Sequence, residues 1–299
     1  WGELFVMFAT ASGGVRRNSL KDFVSVMANG KIAMKLGEGD SLVGVKTCTE
    51  RNDILLATHM GKCIRFPVKD VRVFQGRNST GNRGIRLMEG DEVISMSILG
   101  HADFVTEERD AYLRIAAARR RGNGNGEVDN GGVTISEVRA GELEGGEQFI
   151  LTIADSGYGK RSSAYQYRIT RRGGKGIELM SLGHGENHVV AAFPVTGGDQ
   201  IMLVTNAGKL IRCPVEGIRI AGRSTRGVTL FRVAEGERVV SVARLIDVGD
   251  NGDNGNDGDA GDGTDDSNGA AADEADQELE AGGMAPGAEA TNGDGRDDG

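Results

Sequence analysis

Cysteine is scarce in this chain, and the cysteines present do not pair. Cys48, Cys63 and Cys213 are three in number and far apart, with no Cys-x-x-Cys among them. This argues against a disulfide framework and a thiolate metal site, and for a reducing compartment. Long apolar runs are also missing. No stretch is apolar enough to span a membrane, and no signal-peptide pattern opens the chain. Aromatic residues make up only 5 %, and few sit among the cations, so stacking of single-stranded bases is a weak reading. No Ser/His/Asp or Cys/His set stands out. Two apparent motifs lack what their chemistry needs. "ADSGYGKRSS" has Ala154 where a phosphate loop requires its first glycine, and Arg161 where it requires Ser or Thr. "HGENH" offers His184, Glu186 and His188 on a turn, not on the helix of a His-Glu-x-x-His site, and reads better as a surface turn.

With 299 residues, 38 % of them hydrophobic, the chain is long enough for a real core in one large domain or two smaller ones. It begins at Trp1, and "WGELFVMFATA" already reads as a strand. We therefore expect a fragment, the C-terminal part of something longer. The net charge of −9 conceals a division: residues 248–299 hold sixteen Asp and Glu against one Arg. The body, 1–247, is then about +6 and the tail about −15. Such asymmetry suits a nucleic-acid-binding body with an acidic appendage, although +6 alone is also an ordinary solvated surface.

The body contains four copies of one unit, at about 4–48, 54–99, 149–195 and 201–245. Each opens with an apolar, β-rich run. A glycine turn follows, with a cation four residues on: Gly13/Arg17, Gly61/Arg65, Gly157/Arg161, Gly208/Arg212. A polar loop and a short Gly–apolar–x–Leu strand come next, at Gly84–Leu87, Gly176–Leu179 and Gly227–Leu230, with Ala33–Leu36 in the first copy. A turn such as "EGD" and a last apolar run close the unit. About four short strands in 45–50 residues is the pattern of a propeller blade. One copy cannot bury both faces of its sheet, so the copies must stack. The fold class expected is all-β, a propeller-like repeat of four-stranded blades. A partly helical insertion lies at about 101–147, where "DFVTEERDAYLRIAAARRR" has helical spacing and "GNGNGEVDNGG" reads as a flexible linker. Arg119, Arg120 and Arg121 read as a solvated helix end rather than a nucleic-acid contact. The tail 248–299 is expected to be disordered.

Cations recur on the turns. The candidate DNA-binding residues are Arg16, Arg17, Lys31 and Lys35 in the first copy and Lys62, Arg65, Arg77, Arg83 and Arg86 in the second. The third gives Lys160, Arg161, Arg171, Arg172 and Lys175, and the fourth Arg212, Arg223 and Arg226. "GRNSTGNRG", "TRRGGKG" and "GRSTRG" combine cations with glycine, which lets backbone N–H groups approach a phosphate; the first and last add Ser, Thr or Asn as hydrogen-bonding groups. Repetition would place equivalent cations on one rim, and duplex DNA bent around it is the expected partner.

These features together resemble the C-terminal domain of bacterial DNA gyrase A, most closely at "GKIAMKLGEGDSLVGV", "TGNRGIRLMEGDEVIS" and "QIMLVTNAGKLIR". The resemblance implies a β-pinwheel that wraps duplex DNA on a basic perimeter. It implies partners in the rest of gyrase A and in gyrase B, as a heterotetramer, with no membrane. The holoenzyme's ATP-dependent negative supercoiling would use ATP and Mg held elsewhere, no cofactor being expected in this fragment. The location implied is the cytoplasm, with the nucleoid. Two departures stand out. Four blades are visible against the family's six, and Thr170 replaces the Gln of the family's Gln-Arg-Arg-Gly-Gly-Lys-Gly box, in what would be the fifth blade. The catalytic tyrosine is expected upstream, since Tyr112, Tyr158, Tyr165 and Tyr167 lack an Arg-Tyr-Thr setting; the fragment alone should cleave nothing. The related C-terminal domain of topoisomerase IV, a propeller-like protein-interaction scaffold and a propeller enzyme are the alternatives; the last has no acid/base set behind it. The acidic tail is expected to compete with DNA for the basic rim.

Overall fold

A computed structural model of the chain describes residues 2–25, 28–122, 135–183 and 185–246. The expected flexible linker and acidic tail fall almost wholly outside them, as does His184.

The first repeat supplies β1 (Phe5–Thr10), β2 (Gly14–Ser19) and β3 (Leu42–Cys48). The second supplies β4 (Asn52–Thr58), β5 (Lys62–Pro67), β6 (Asn82–Arg83) and β7 (Val93–Gly100). Two helices follow, α1 (Thr106–Arg120) and α2 (Glu137–Gly146). The third repeat gives β8 (Phe149–Ala154), β9 (Tyr158–Ser163), β10 (Ile177–Glu178) and β11 (Val189–Val195). The fourth gives β12 (Gln200–Thr205), β13 (Leu210–Pro214), β14 (Val228–Thr229) and β15 (Val239–Leu245). The fold is all-β, as expected. Each opening hairpin turns on a left-handed glycine, with φ between 76° and 85° at Gly13, Gly61, Gly157 and Gly208.

The repeats are not self-contained blades. The sheets are ordered β3-β1-β2-β6, β10-β5-β4-β7, β11-β8-β9-β14 and β13-β12-β15. The outer strand of each of the first three comes from the following repeat, so neighbouring repeats are tied by main-chain hydrogen bonds as well as by packing. This also corrects the repeat alignment. The register pairs Gly14 with Arg83, Lys62 with Glu178 and Tyr158 with Thr229. Gly81, Gly176 and Gly227 are therefore equivalent, and the paired strand of the second repeat is Asn82–Arg83, three residues before the expected position. Close backbone approach sets this register. All three glycines are left-handed, and a Cβ there would stand 2.5, 2.4 and 2.4 Å from Val15 O, Cys63 O and Gly159 O.

Side chains fill the spaces between successive sheets. Met7, Val15, Ile54, Ile64 and Phe66 belong to one cluster, Leu55, Leu99, Ile150 and Tyr167 to the next, and Leu151, Ile153, Ile201 and Leu203 to the third. β4 reads Asp-Ile-Leu-Leu-Ala-Thr with every one of those residues buried, as a strand covered on both faces requires. The helical insertion packs on the third sheet through Tyr112, Ala116, Leu143 and Tyr165. The helix expected in the insertion is α1. α2 departs from expectation, because its sequence holds three glycines. Tertiary packing of Ala140 and Leu143, and a cap in which Ser136 accepts from Arg139 N at 3.2 Å, outweigh that composition.

Candidate nucleic-acid interface

In the second, third and fourth repeats the chain follows one path after its hairpin. It touches the second strand of the preceding sheet in a single parallel bridge, Arg17–Val73, Arg65–Ile169 or Arg161–Ile220. It then makes a glycine-rich basic turn, 76–81, 171–176 or 222–227, and adds the exchanged strand. Each turn is tied to the repeat before it at one equivalent atom. Ser79 O accepts from Lys35 N (3.4 Å), Gly174 O from Arg86 N (2.8 Å) and Thr225 O from Ser181 N (3.3 Å). The turns thus succeed one another in contact with their neighbours.

The candidate cations divide into three kinds. Four are buried and turned inward, contrary to the expectation that they face phosphate: Arg16, Arg17, Arg65 and Lys160. Arg65 is 1 % exposed, pairs with the fully buried Asp53 and donates to Ala164 O at 2.8 Å. Arg17 pairs with Glu50 at 3.2 Å. Arg16 donates to Gly76 O and Ser79 O, and Lys160 to Gly222 O, Arg223 O and Thr225 O. These last two occupy the same position, three residues after the hairpin glycine, and each fills the inner side of the next repeat's turn. A buried cation must satisfy its donors, and backbone carbonyls of a tight turn do so.

A second kind staples repeats together. Arg77, Arg172 and Arg223 are equivalent, and each guanidinium donates to one equivalent carbonyl of the preceding repeat: Ile32 O at 3.0 Å, Arg83 O at 3.0 Å and Glu178 O. Arg161 likewise donates to Ile218 O and Glu216 O. Lys31 and Arg212 are engaged within their own repeats instead, Lys31 donating to Asp22 O and Ser25 O, and Arg212 to Gln200.

The third kind is available. Lys35, Arg83, Arg86, Arg171 and Lys175 are exposed, and their side chains have no hydrogen-bond or ion-pair partner among the described residues. Lys62 is half-buried and likewise unpartnered. Arg226 is exposed and lies 3.7 Å from the Tyr158 ring centroid. One further set of the repeats' cations, outside the candidate residues above, falls into register. Arg72, Arg168 and Arg219 each precede the parallel bridge, and all three are exposed. Their signal in the sequence is an arginine between apolar neighbours, Val71-Arg72-Val73, Tyr167-Arg168-Ile169 and Ile218-Arg219-Ile220.

The family model described as "DNA gyrase C-terminal domain, beta-propeller" matches residues 5–49, 52–99, 148–196 and 199–245. The chain belongs to this family. A DNA gyrase A protein from Granulibacter bethesdensis is 51 % identical over 271 residues, covering 84 % of this chain and 29 % of that protein. One from Rickettsia bellii is 48 % identical over 254 residues, covering 84 % and 28 %. The chain thus spans under a third of the length of these relatives. Among solved structures, a C-terminal domain of DNA topoisomerase IV superposes with a TM-score of 0.61 at 18 % identity, covering 81 % of this chain and 62 % of that one. A DNA gyrase A C-terminal domain gives 0.57 at 21 %, covering 82 % and 67 %. Both show the shared fold.

In this gyrase-family domain two cysteines and three tyrosines are buried. Burial pushes the thiol of Cys63 up to about 12 and that of Cys48 to about 11. It also raises Tyr112, Tyr165 and Tyr167. Tyr112 donates to Glu147 at 3.0 Å and Tyr165 to Leu143 O at 2.9 Å. His188 stacks on His59, with centroids 4.1 Å apart. No helix among the described residues is long and apolar enough to cross a membrane.

Proposed function

We propose that this chain binds duplex DNA along its succession of basic turns and bends it from one blade to the next, as the C-terminal part of a DNA gyrase A protein. The observation carrying this is the register of the available cations. Arg72, Arg168 and Arg219 occupy one repeated position, and Lys175 and Arg226 another. Lys35 and Arg86 share a third, each on the residue whose N–H meets the next turn. Cations recurring at fixed places on interlocked repeats form a track, and a track of arginine and lysine suits phosphate at every step without reading bases. Bending a 20–30 bp segment costs on the order of 1–6 kcal/mol, which contacts shared over several blades offset. DNA cleavage and ATP hydrolysis belong to the rest of gyrase A and to gyrase B, with ATP and Mg held there. This chain contributes the bent DNA path that supports negative supercoiling in the cytoplasm.

The test is binding of the chain to ~20 bp and ~150 bp duplexes across a salt series. Tighter binding to the long duplex with a steep log–log salt slope is expected when many phosphates are engaged. Weak binding indifferent to length would overturn the wrapping reading and return the protein-interaction scaffold to the lead.

A further inference from the structure

The insertion between the second and third repeats lies outside the four matched segments, yet its helix α1 lines hollows together with residues of the third repeat and of the fourth repeat's turn. One hollow holds Arg168, Arg171 and Lys175 of the third repeat. Arg168 is shared with a second hollow, which adds Arg109 of α1 and Arg223. Those two are shared with a third, which adds Arg114 and Arg121. Arg121 is shared with a fourth, which reaches Arg219. These hollows adjoin through shared lining residues, and we take the row they form as one groove. Arginines dominate it. The acidic residues lining the three hollows beside α1 are Asp110, Glu178 and Glu216, and Asp110 already pairs with Arg109 at 2.7 Å.

Helix α1 is held firmly enough to define one wall. Its inner face packs Tyr112 and Ala116 against Tyr165, and Arg120 pairs with Glu147 at 2.7 Å. Arg139 of α2 pairs with Glu108 of α1 at 2.7 Å. Arg114, Ala117 and Arg121 follow at helical spacing on the stripe facing the groove. Arg119 points elsewhere, to Glu144 at 3.0 Å. Arg114 and Arg121 are exposed, with no side-chain partner among the described residues. The short basic run of the sequence is thus divided: Arg119 and Arg120 hold the insertion together, and Arg121 joins Arg114 on the groove.

We propose that α1 is a second DNA-contacting element, and that the phosphodiester backbone of the duplex passes from the 171–176 turn along Arg114 and Arg121 to Arg219. This rests on the DNA-binding reading above and extends it to a segment outside the repeats. Arginine suits this role because its planar fork meets phosphate oxygens in pairs.

The experiment measures binding of the full chain to a ~150 bp duplex against salt, for the parent, for Arg114→Gln with Arg121→Gln, and for Arg119→Gln. Loss of two phosphate contacts should make the log–log slope shallower by about 2, at ~0.9 per contact. Arg119→Gln should leave the slope in place, and Arg114→Lys with Arg121→Lys should restore most of it. Circular dichroism and thermal melting of each variant separate lost contact from lost fold, and Arg114→Gln alone, expected to make the slope shallower by about 1, keeps the test decisive if the glutamine pair unfolds. A parental slope in the glutamine pair, or one no different from that of Arg119→Gln, overturns this inference and leaves the DNA-binding reading intact. A parent that binds no duplex overturns both.

Discussion

Lys160 donates its three ammonium hydrogens to three carbonyls of the 222–225 turn and is 0 % exposed. Burial, and after it the charge of Arg223, pulls its pKa down to about 8. The folded chain therefore gives up this proton before the unfolded chain does. Stability linked to Lys160 should rise as pH climbs from about 8 toward the ordinary lysine value of ~10.4. NMR titration of the ε-ammonium group checks this; a midpoint near the ordinary value would remove the basis for it. The third repeat's turn separates two uses of arginine in adjacent residues. Arg172→Gln removes donors to Asp70 O and Arg83 O and should lower stability by about 1–2 kcal/mol, measured by urea unfolding. Arg171→Gln with Lys175→Gln should melt like the parent but bind duplex with a salt slope shallower by about 1–2. The reverse pattern would mean that the clamp and the contact residue have been interchanged.

At the scale of elements, the exchanged strand depends on one glycine per turn. Gly176 is left-handed at φ 75°, and an added Cβ would stand 2.4 Å from Cys63 O. Gly30, the corresponding glycine of the first repeat, has φ 77° and nothing within 4 Å. Either Ala substitution meets the left-handed penalty of ~1–2 kcal/mol. Only Gly176→Ala must also push the strand from its partner, which should add about 1–3 kcal/mol. Equal melting losses for Gly176→Ala and Gly30→Ala would show that backbone contact does not set the register. The glycines of these turns were legible as glycines, but which were equivalent was not. "GIRL" matches "GIEL" by spelling, while the carbonyl of Val15 selects Gly81.

For the whole molecule, charge supplies the prediction. The body at about +6 and the tail at about −15 oppose each other. Deleting 249–299 should tighten duplex binding at low salt, and the gain should shrink as the screening length falls from ~10 Å at 0.1 M to ~3 Å at 1 M. Unchanged affinity at low salt in an electrophoretic shift assay would count against competition by the tail.

The sequence by itself determined the repeat, its longer strands and hairpin glycines, and the surplus of cations on turns. These follow from short-range chemistry: β-rich apolar runs, left-handed glycines and local charge. It could not separate Arg171 from Arg172, or Arg119 from Arg121, because neighbouring residues of one type read alike. Only the tertiary structure decided which cations were left for a ligand. Burial demands partners for Arg16, Arg65 and Lys160, the staples occupy Arg77, Arg172 and Arg223, and those partners come from residues dozens of positions away. The exchange of strands between repeats was decided there too, because a carbonyl in one repeat fixes where the next may pair.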